Sequence, residues 1–141
     1  MRNTLGIFLA AVFATLSLFH IYWALGGRLG SGVTVPTVGS QRTFEPSANS
    51  TILVAVALLI AVVTILGQLG FLGEIIPRWV FRWGTWAIAL VFFLRAIGEF
   101  KLVGFFKEVR DTPFAHWDTW LFSPLCLVIA VIAFMLADRE A

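Results

Sequence analysis

Four long apolar runs constrain the fold of this sequence more than any other feature. They extend over about residues 5–25, 51–72, 79–97 and 119–137. A helix needs about 20 predominantly apolar residues to cross the roughly 30 Å hydrocarbon core of a bilayer, and each run is close to that length. Only 13% of the 141 residues are charged, whereas about a quarter are charged in soluble domains. We therefore predict one all-α integral membrane domain, a four-transmembrane-helix bundle with both termini on the same side.

The boundaries of the first and fourth runs need separate arguments. The first run could alternatively be a signal peptide, although only Arg2 precedes it and no small-x-small cleavage site follows it cleanly. The fourth run contains Pro124, and a helix that began there would have about 14 residues and span only roughly 21 Å. We therefore expect this helix to begin near Asp118, a favourable N-cap residue, and to bend or rewind at Ser123-Pro124.

The connections between the runs differ in character. Residues 26–50 are rich in Gly, Ser, Thr and Pro and predict an irregular loop, and residues 73–78 predict a tight turn. The longer connection over 98–117 contains FKLVGFF. We predict that this segment is amphipathic and lies at the membrane interface, with Lys101 and Lys107 reaching toward lipid headgroups.

Polar side chains concentrate at one predicted face of the bundle, which we call the vestibule. In an antiparallel arrangement, this face collects the ends of the first and third helices and the starts of the second and fourth. Ionisable groups inside membrane segments are costly and mark functional sites by default. The residues of the vestibule are His20, Tyr22, Trp23, Arg95, Glu99, Lys101, His116 and Asp118.

His20 lies inside the end of the first helix, where an imidazole needs a hydrogen bond or a wet cavity. Three roles are open: a structural histidine bonded to a neighbouring helix, an acid–base or ligand-binding group, and a haem or metal ligand. The sequence does not favour a metal, because the only other histidine, His116, lies in a loop and no Cys/His spacing supports a site. We predict neither a metal nor a cofactor.

Arg95 and Glu99 are four residues apart on the third helix and can pair. The pair is either a salt bridge that locks the mouth of the bundle, or it is an anion clamp (Arg95) beside a proton-handling carboxyl (Glu99). Asp118 is either the cap of the fourth helix or a second carboxyl that divides acid and base roles with Glu99.

Several function classes find no support in the sequence. There is no phosphate-binding loop, no serine in a nucleophile elbow and no carboxylate in the middle of a span. The last absence argues against a small proton-coupled exporter. The net charge of +2 is too small and scattered for nucleic-acid binding, and the single cysteine, Cys126, is expected to pack as a small apolar group.

The segments HIYWALGG and LRAIGEFKLVGFFKEVRDTPFAHWDTWLFSPLCL, at 20–27 and 94–127, resemble a family of small bacterial four-helix membrane proteins, the domain-of-unknown-function 3995 type. Its Arg-x-x-Gly-Asp/Glu-Phe pattern is found at 95–100, and Phe-Ala-x-x-Asp followed by Ser-Pro-Leu at 114–125. Glu99 stands where Asp is the more frequent residue. The resemblance implies a multi-pass protein of the bacterial cytoplasmic (inner) membrane and implies no activity.

We expect the vestibule to bind or convert a lipid-soluble small molecule. In this hypothesis Glu99, Asp118 and His20 are the catalytic candidates, and Arg95, Trp23, Tyr22 and Lys101 contact the ligand. Alternatives are a non-enzymatic accessory subunit of a membrane complex and a small oligomeric transporter, so the sequence leaves open whether the protein is an enzyme. The expected partners are membrane lipid, a hydrophobic small molecule, and a second copy or another membrane protein.

Overall fold

Four helices of membrane-spanning length make up most of the computed structural model, which describes residues 1–138. The first three spans are α1 (Arg2–Ala24), α2 (Ala48–Gln68) and α3 (Arg78–Ile97), and the fourth is the composite Pro113–Asp138. All four are long and apolar enough to cross a bilayer, which confirms the predicted four-helix membrane bundle. Arg139 and Glu140, which follow the last apolar run in the sequence, lie outside the described residues.

The fourth span begins earlier than the sequence predicted. It consists of α4 (Pro113–Trp117), a π-helical turn (Asp118–Phe122) and α5 (Ser123–Asp138). Its N-cap is Thr112, whose hydroxyl accepts a hydrogen bond from the backbone N–H of Ala115 at 3.1 Å. Pro113 occupies the first turn, where a backbone N–H has no acceptor within the helix, so that the absence of this N–H costs no hydrogen bond. The prediction that Asp118 caps this helix is therefore wrong.

The π-helical turn is the rewinding that the sequence predicted near Pro124. The backbone N–H of Ser123 donates to the carbonyl of Asp118, five residues earlier. A proline inside a helix has no N–H to donate, and its ring crowds the carbonyl four residues before it. The wider turn immediately before Pro124 accommodates this crowding, so that the helix continues as α5.

The second helix also ends earlier than expected, at Gln68 instead of near residue 72. The reason is local: Leu69 caps the helix, and Gly70 follows with φ of 90°. A left-handed residue of this kind commonly ends a helix. Residues 69–77 form the connection to α3.

The helices pack as two hairpins. α1 packs mainly against α2, and α3 packs mainly against α5, while α2–α3 and α1–α5 contacts join the two pairs. The shared core is formed by large apolar side chains that are almost completely buried: Leu9, Phe13, Ile65, Ile129 and Leu136. Ser17 adds a polar link, since its buried hydroxyl donates to the Ala55 carbonyl at 2.9 Å.

Hydrogen bonds tie three helix ends together at the face with the termini. Arg2 Nη2 donates to the Gln68 carbonyl at 3.1 Å, and Gln68 Nε2 donates to the Leu136 carbonyl at 2.9 Å. The start of α1 and the end of α5 are therefore at the same end of the bundle, as predicted.

The opposite face carries the two long connections. The first, expected to be irregular, contains a 3₁₀ turn (Ser31–Val33) and a small antiparallel hairpin of β1 (Thr37–Val38) and β2 (Gln41–Arg42). The short helix α4 packs against the 3₁₀ turn. The first connection thus meets the start of the fourth span at this face.

Candidate functional site

A charge cluster joins the end of α3 to the last span, and it consists of the partly exposed Arg95 and the buried Lys107 and Asp118. Arg95 Nη2 lies 2.9 Å from Asp118 Oδ1, and Lys107 Nζ lies 3.1 Å from Asp118 Oδ2. The Asp118 side chain is 0% exposed, and Lys107 is 2% exposed. A carboxylate can be buried at this depth because two cations compensate its charge.

The remaining polar atoms of the cluster are mostly satisfied as well. Asp118 Oδ2 also accepts the backbone N–H of Gly104 at 2.7 Å. Lys107 Nζ donates to the Gly104 carbonyl at 2.9 Å and to Thr119 Oγ1 at 2.6 Å. Asp118 therefore has three donors and Lys107 has three oxygen neighbours, the full number of ammonium hydrogens. Such saturation favours a structural role for Asp118.

The loop over residues 98–104 holds the cluster in place through a close approach of its two ends. Gly98 and Gly104 have φ values of 81° and 91°. A Cβ on Gly98 would collide with the Val103 carbonyl, and a Cβ on Gly104 would collide with the Ile97 carbonyl. Glycine is required at both positions, because it alone allows this backbone conformation and this close contact.

Glu99 does not pair with Arg95, so the first alternative for these two residues, a salt bridge that locks the mouth of the bundle, is wrong. The helix ends at Gly98, and the regular spacing that would bring Glu99 over Arg95 ends with it. Glu99 is exposed, and its Oε1 accepts the backbone N–H groups of Leu102 and of Val103, the latter at 3.2 Å. The carboxylate that pairs with Arg95 is that of Asp118.

The predicted amphipathic segment also needs correction. Residues 98–112 contain no regular helix, and Lys107 is buried against Asp118 and does not reach toward headgroups. Lys101 is exposed, and its carbonyl accepts the backbone N–H groups of Glu108 and Val109 at 3.0 and 2.9 Å. These bonds fold the segment into a compact loop over the charge cluster.

A cleft of about 740 Å³ opens on the same face, between the ends of α1 and α2 and the first connection. Residues from all three elements line it, among them His20, Trp23, Arg28, Arg42, Phe44 and Val54. Two of them, His20 and Trp23, belong to the predicted vestibule. The vestibule is thus divided in the structure into the cleft and the charge cluster.

His20 is fixed by its own helix and by Trp23. Its Nδ1 lies 2.7 Å from the Leu16 carbonyl, and since a carbonyl only accepts, Nδ1 carries the proton. The imidazole meets the Trp23 indole edge to face, with ring centroids 5.1 Å apart. The other ring nitrogen, Nε2, has no protein partner within residues 1–138.

Tyr22 and Trp23 bind the turn that follows α1. Trp23 Nε1 donates to the Leu29 carbonyl at 2.8 Å, and the Tyr22 hydroxyl accepts the Leu29 backbone N–H at 3.3 Å. Trp23 still lines the cleft, whereas Tyr22 does not. Their hydrogen bonds hold the first connection over the helix ends.

The part of the chain that matches a known protein family includes both the cleft and the charge cluster. Residues 13–133 match the family described as protein of unknown function (DUF3995). The chain belongs to this family. No curated protein and no solved structure matches it. In this DUF3995 member the cleft and the charge cluster both lie within the matched residues, so neither is an addition outside the family domain.

Sequence reasoning missed three polar residues of this DUF3995 protein that the structure places in or at the edge of the two sites. Lys107 was assigned to the lipid interface, and Arg28 and Arg42 were not identified as candidates. The available signals were two glycines, Gly98 before the FKLVGFF segment and Gly104 within it, and the presence of two arginines in a connection with little other charge. Within residues 1–138, no three His, Cys, Asp or Glu side chains converge as a metal site would require.

Proposed function

We propose that this multi-pass membrane protein binds a lipid-soluble small molecule in the cleft beside His20 and Trp23. The observation that carries the proposal is the cleft itself. Its volume of about 740 Å³ falls in the range of small-molecule sites, which are mostly apolar with a few placed polar groups. Trp23, Phe44 and Val54 supply apolar surface, and His20 supplies a polar atom that no other group in residues 1–138 uses.

The position of the cleft supports a ligand that reaches the protein from the membrane. The cleft lies at the ends of α1 and α2, where the spans meet the interfacial region, and Trp23 is of the residue type enriched there. The apolar surface of α2 would be continuous with the bilayer, so that a molecule dissolved in the lipid could reach the cleft along it. We propose the cytoplasmic membrane of bacteria as the location, which fractionation of the native cells tests.

The charge cluster has a supporting role in this proposal. Arg95, Lys107 and Asp118 bind one another and the loop backbone, so they hold the last connection in place. The short helix α4, which follows that connection, packs against the 3₁₀ turn of the first connection, and Ser31 of that turn lines the cleft. The ligand-binding roles predicted for Arg95 and Lys101, and the catalytic roles predicted for Glu99 and Asp118, have no support from the cleft geometry.

The test compares two substitutions on the same helix. Val54 lines the cleft and Val56 does not, yet the two side chains are similarly exposed, at 44% and 46%. Val54→Trp would fill the cleft, and Val56→Trp adds the same bulk on another face. Each protein is purified in mild detergent, and the small molecules that remain bound are identified by mass spectrometry.

A defined small molecule should accompany the wild type and Val56→Trp, and it should be lost from Val54→Trp at unchanged melting temperature. The same bulk phospholipid in all three samples would refute the proposal. The accessory-subunit and transporter hypotheses stay predictions, which crosslinking in cells and flux into proteoliposomes test directly.

A further inference from the structure

The cleft that we propose as a ligand site carries an excess of positive charge. Arg28 and Arg42 line it, and among the described residues, 1–138, Glu45 is the only acidic one that does so. His20 also lines the cleft. An anionic group would therefore enter a favourable electrostatic field, whereas a cation would be repelled.

The two arginines are available for a ligand in different ways. No acidic side chain within residues 1–138 pairs with the exposed Arg28 guanidinium. Arg42 Nη1 lies 3.3 Å from Glu45 Oε2, but the Glu45 side chain is 79% exposed. An exposed pair of this kind contributes about 0–1 kcal/mol, so an oxyanion in the cleft can replace Glu45 at little cost.

The backbone around Arg42 presents its side chain in a fixed position. Arg42 Nη2 donates to the Ser31 carbonyl at 3.2 Å, and Arg42 stands opposite Thr37 in the β1–β2 hairpin. The backbone N–H and the hydroxyl of Thr43 both donate to the Pro36 carbonyl, at 3.0 and 2.9 Å. A side chain that is already ordered loses less entropy when it binds a ligand.

The other wall of the cleft is apolar, and it points to a chain attached to the anion. Trp23, Phe44 and Val54 lie along it, together with the buried Val35. Trp23 is held by its hydrogen bond to the Leu29 carbonyl, so its ring is a rigid surface. A purely soluble anion would leave this wall unused.

We infer that the ligand is an anionic amphiphile, with an oxyanion head group bound by Arg28 and Arg42 and an apolar chain lying along Trp23 and Val54. A phosphate monoester has the required chemistry, because arginine binds such oxyanions through paired, charge-assisted hydrogen bonds. His20 Nε2 is the additional polar contact near the head group. This inference rests on the proposed small-molecule site.

The experiment measures binding of radiolabelled dodecyl phosphate to the full chain in nanodiscs of neutral phosphatidylcholine. Three unlabelled competitors are used. Dodecanol tests whether the apolar chain alone binds, dodecylammonium tests whether the sign of the charge matters, and inorganic phosphate tests whether the free anion binds. The variants are Arg28→Gln and Arg42→Gln. Lys101→Gln is the matched control, because Lys101 is exposed on the same face but does not line the cleft.

Dodecyl phosphate should bind saturably, and each arginine variant should weaken it by roughly tenfold, which corresponds to one lost charge-assisted contact. Lys101→Gln should bind as the wild type does. None of the three competitors should displace the label at equal concentration.

The outcomes that contradict the inference are distinct from failure of the site. Equal competition by dodecanol, or unchanged binding in both arginine variants, would overturn the anionic head group while leaving a small-molecule cleft. Equal competition by inorganic phosphate would overturn the amphiphile in favour of a soluble anion. The proposed function itself would be refuted if dodecyl phosphate did not bind saturably and if Val54→Trp retained every small molecule that the wild type retains.

Discussion

Removing the negative charge of Asp118 should destabilise the protein by about 3 kcal/mol. Asp118→Asn would leave two cations, Arg95 and the 2% exposed Lys107, without their shared carboxylate. Removing one partner of a buried ion pair typically costs about 3–5 kcal/mol. We expect the lower end, because Lys107 keeps the Gly104 carbonyl and the Thr119 hydroxyl as acceptors, and an asparagine oxygen can still accept one hydrogen bond.

The assay is reversible unfolding in mixed detergent micelles with increasing denaturing detergent, followed by tryptophan fluorescence. Asp111→Asn is the control, since it makes the same chemical change at an exposed carboxylate in the same connection. The control should stay within about 0.5 kcal/mol of the wild type. An Asp118→Asn protein that is as stable as this control would refute the view that the charge cluster locks the loop.

A double-mutant cycle separates the charge pair from other effects of the substitution. Lys107→Met should be strongly destabilising in the wild type and much less so in the Asp118→Asn background, because the interaction has already been lost there. Contacting residues usually show coupling of about 0.5–3 kcal/mol, and we expect a value in the upper half of that range. Additive effects would mean that Lys107 and Asp118 act independently.

Three further predictions follow from the same region. An amine-reactive ester should label Lys101 and spare Lys107, with mass spectrometry as the readout, and equal labelling would show that Lys107 is accessible. Gly104→Ala should be at least about 2 kcal/mol more destabilising than Gly26→Ala. Both glycines have positive φ, but only at Gly104 would the added Cβ collide with a carbonyl. Equal melting temperatures of the two variants would contradict this prediction. Thr112→Ala should cost about 1 kcal/mol and Thr112→Ser much less, as measured by the same unfolding assay.

The four spans could be predicted from the sequence because a bilayer imposes a length and a composition on every helix that crosses it. The boundaries were less accurate where local chemistry decided them. Thr112 and Pro113 begin the last span well before its apolar run, and Gly70 ends α2 although apolar residues continue to Leu72. Hydropathy reports the environment of a residue and not its backbone conformation.

The composition of the charge cluster was only partly predictable. Arg95 and Asp118 were identified as candidates from their position at one face, but Glu99 was chosen as the partner of Arg95 from helical spacing. That spacing applies only while the helix continues, and it ends at Gly98. Lys107 was missed because its place depends on how the loop folds back between Gly98 and Gly104, a tertiary closure that has no periodic signal in the sequence.

The cleft could not be predicted from the sequence, although His20 and Trp23 were recognised on its wall. Their neighbours Arg28 and Arg42 come from a connection without hydrophobic periodicity, so nothing in the sequence specified how it crosses the helix ends. The position of this connection depends on two hydrogen bonds at Leu29, whose carbonyl accepts from the Trp23 indole N–H and whose backbone N–H donates to the Tyr22 hydroxyl. Such side-chain-to-backbone bonds are specific to one three-dimensional arrangement.

The pairing of the helices has a consequence for how the protein is made. Each hairpin contains consecutive spans, so the neighbour that a newly synthesised helix needs is the next one to leave the ribosome. The contacts of Arg95 with the last span likewise join residues close in the chain. We therefore expect that a gene divided within residues 71–75 and expressed as two polypeptides yields two inserted halves that reassemble in the membrane. Each half would already contain the partner against which its helices mainly pack.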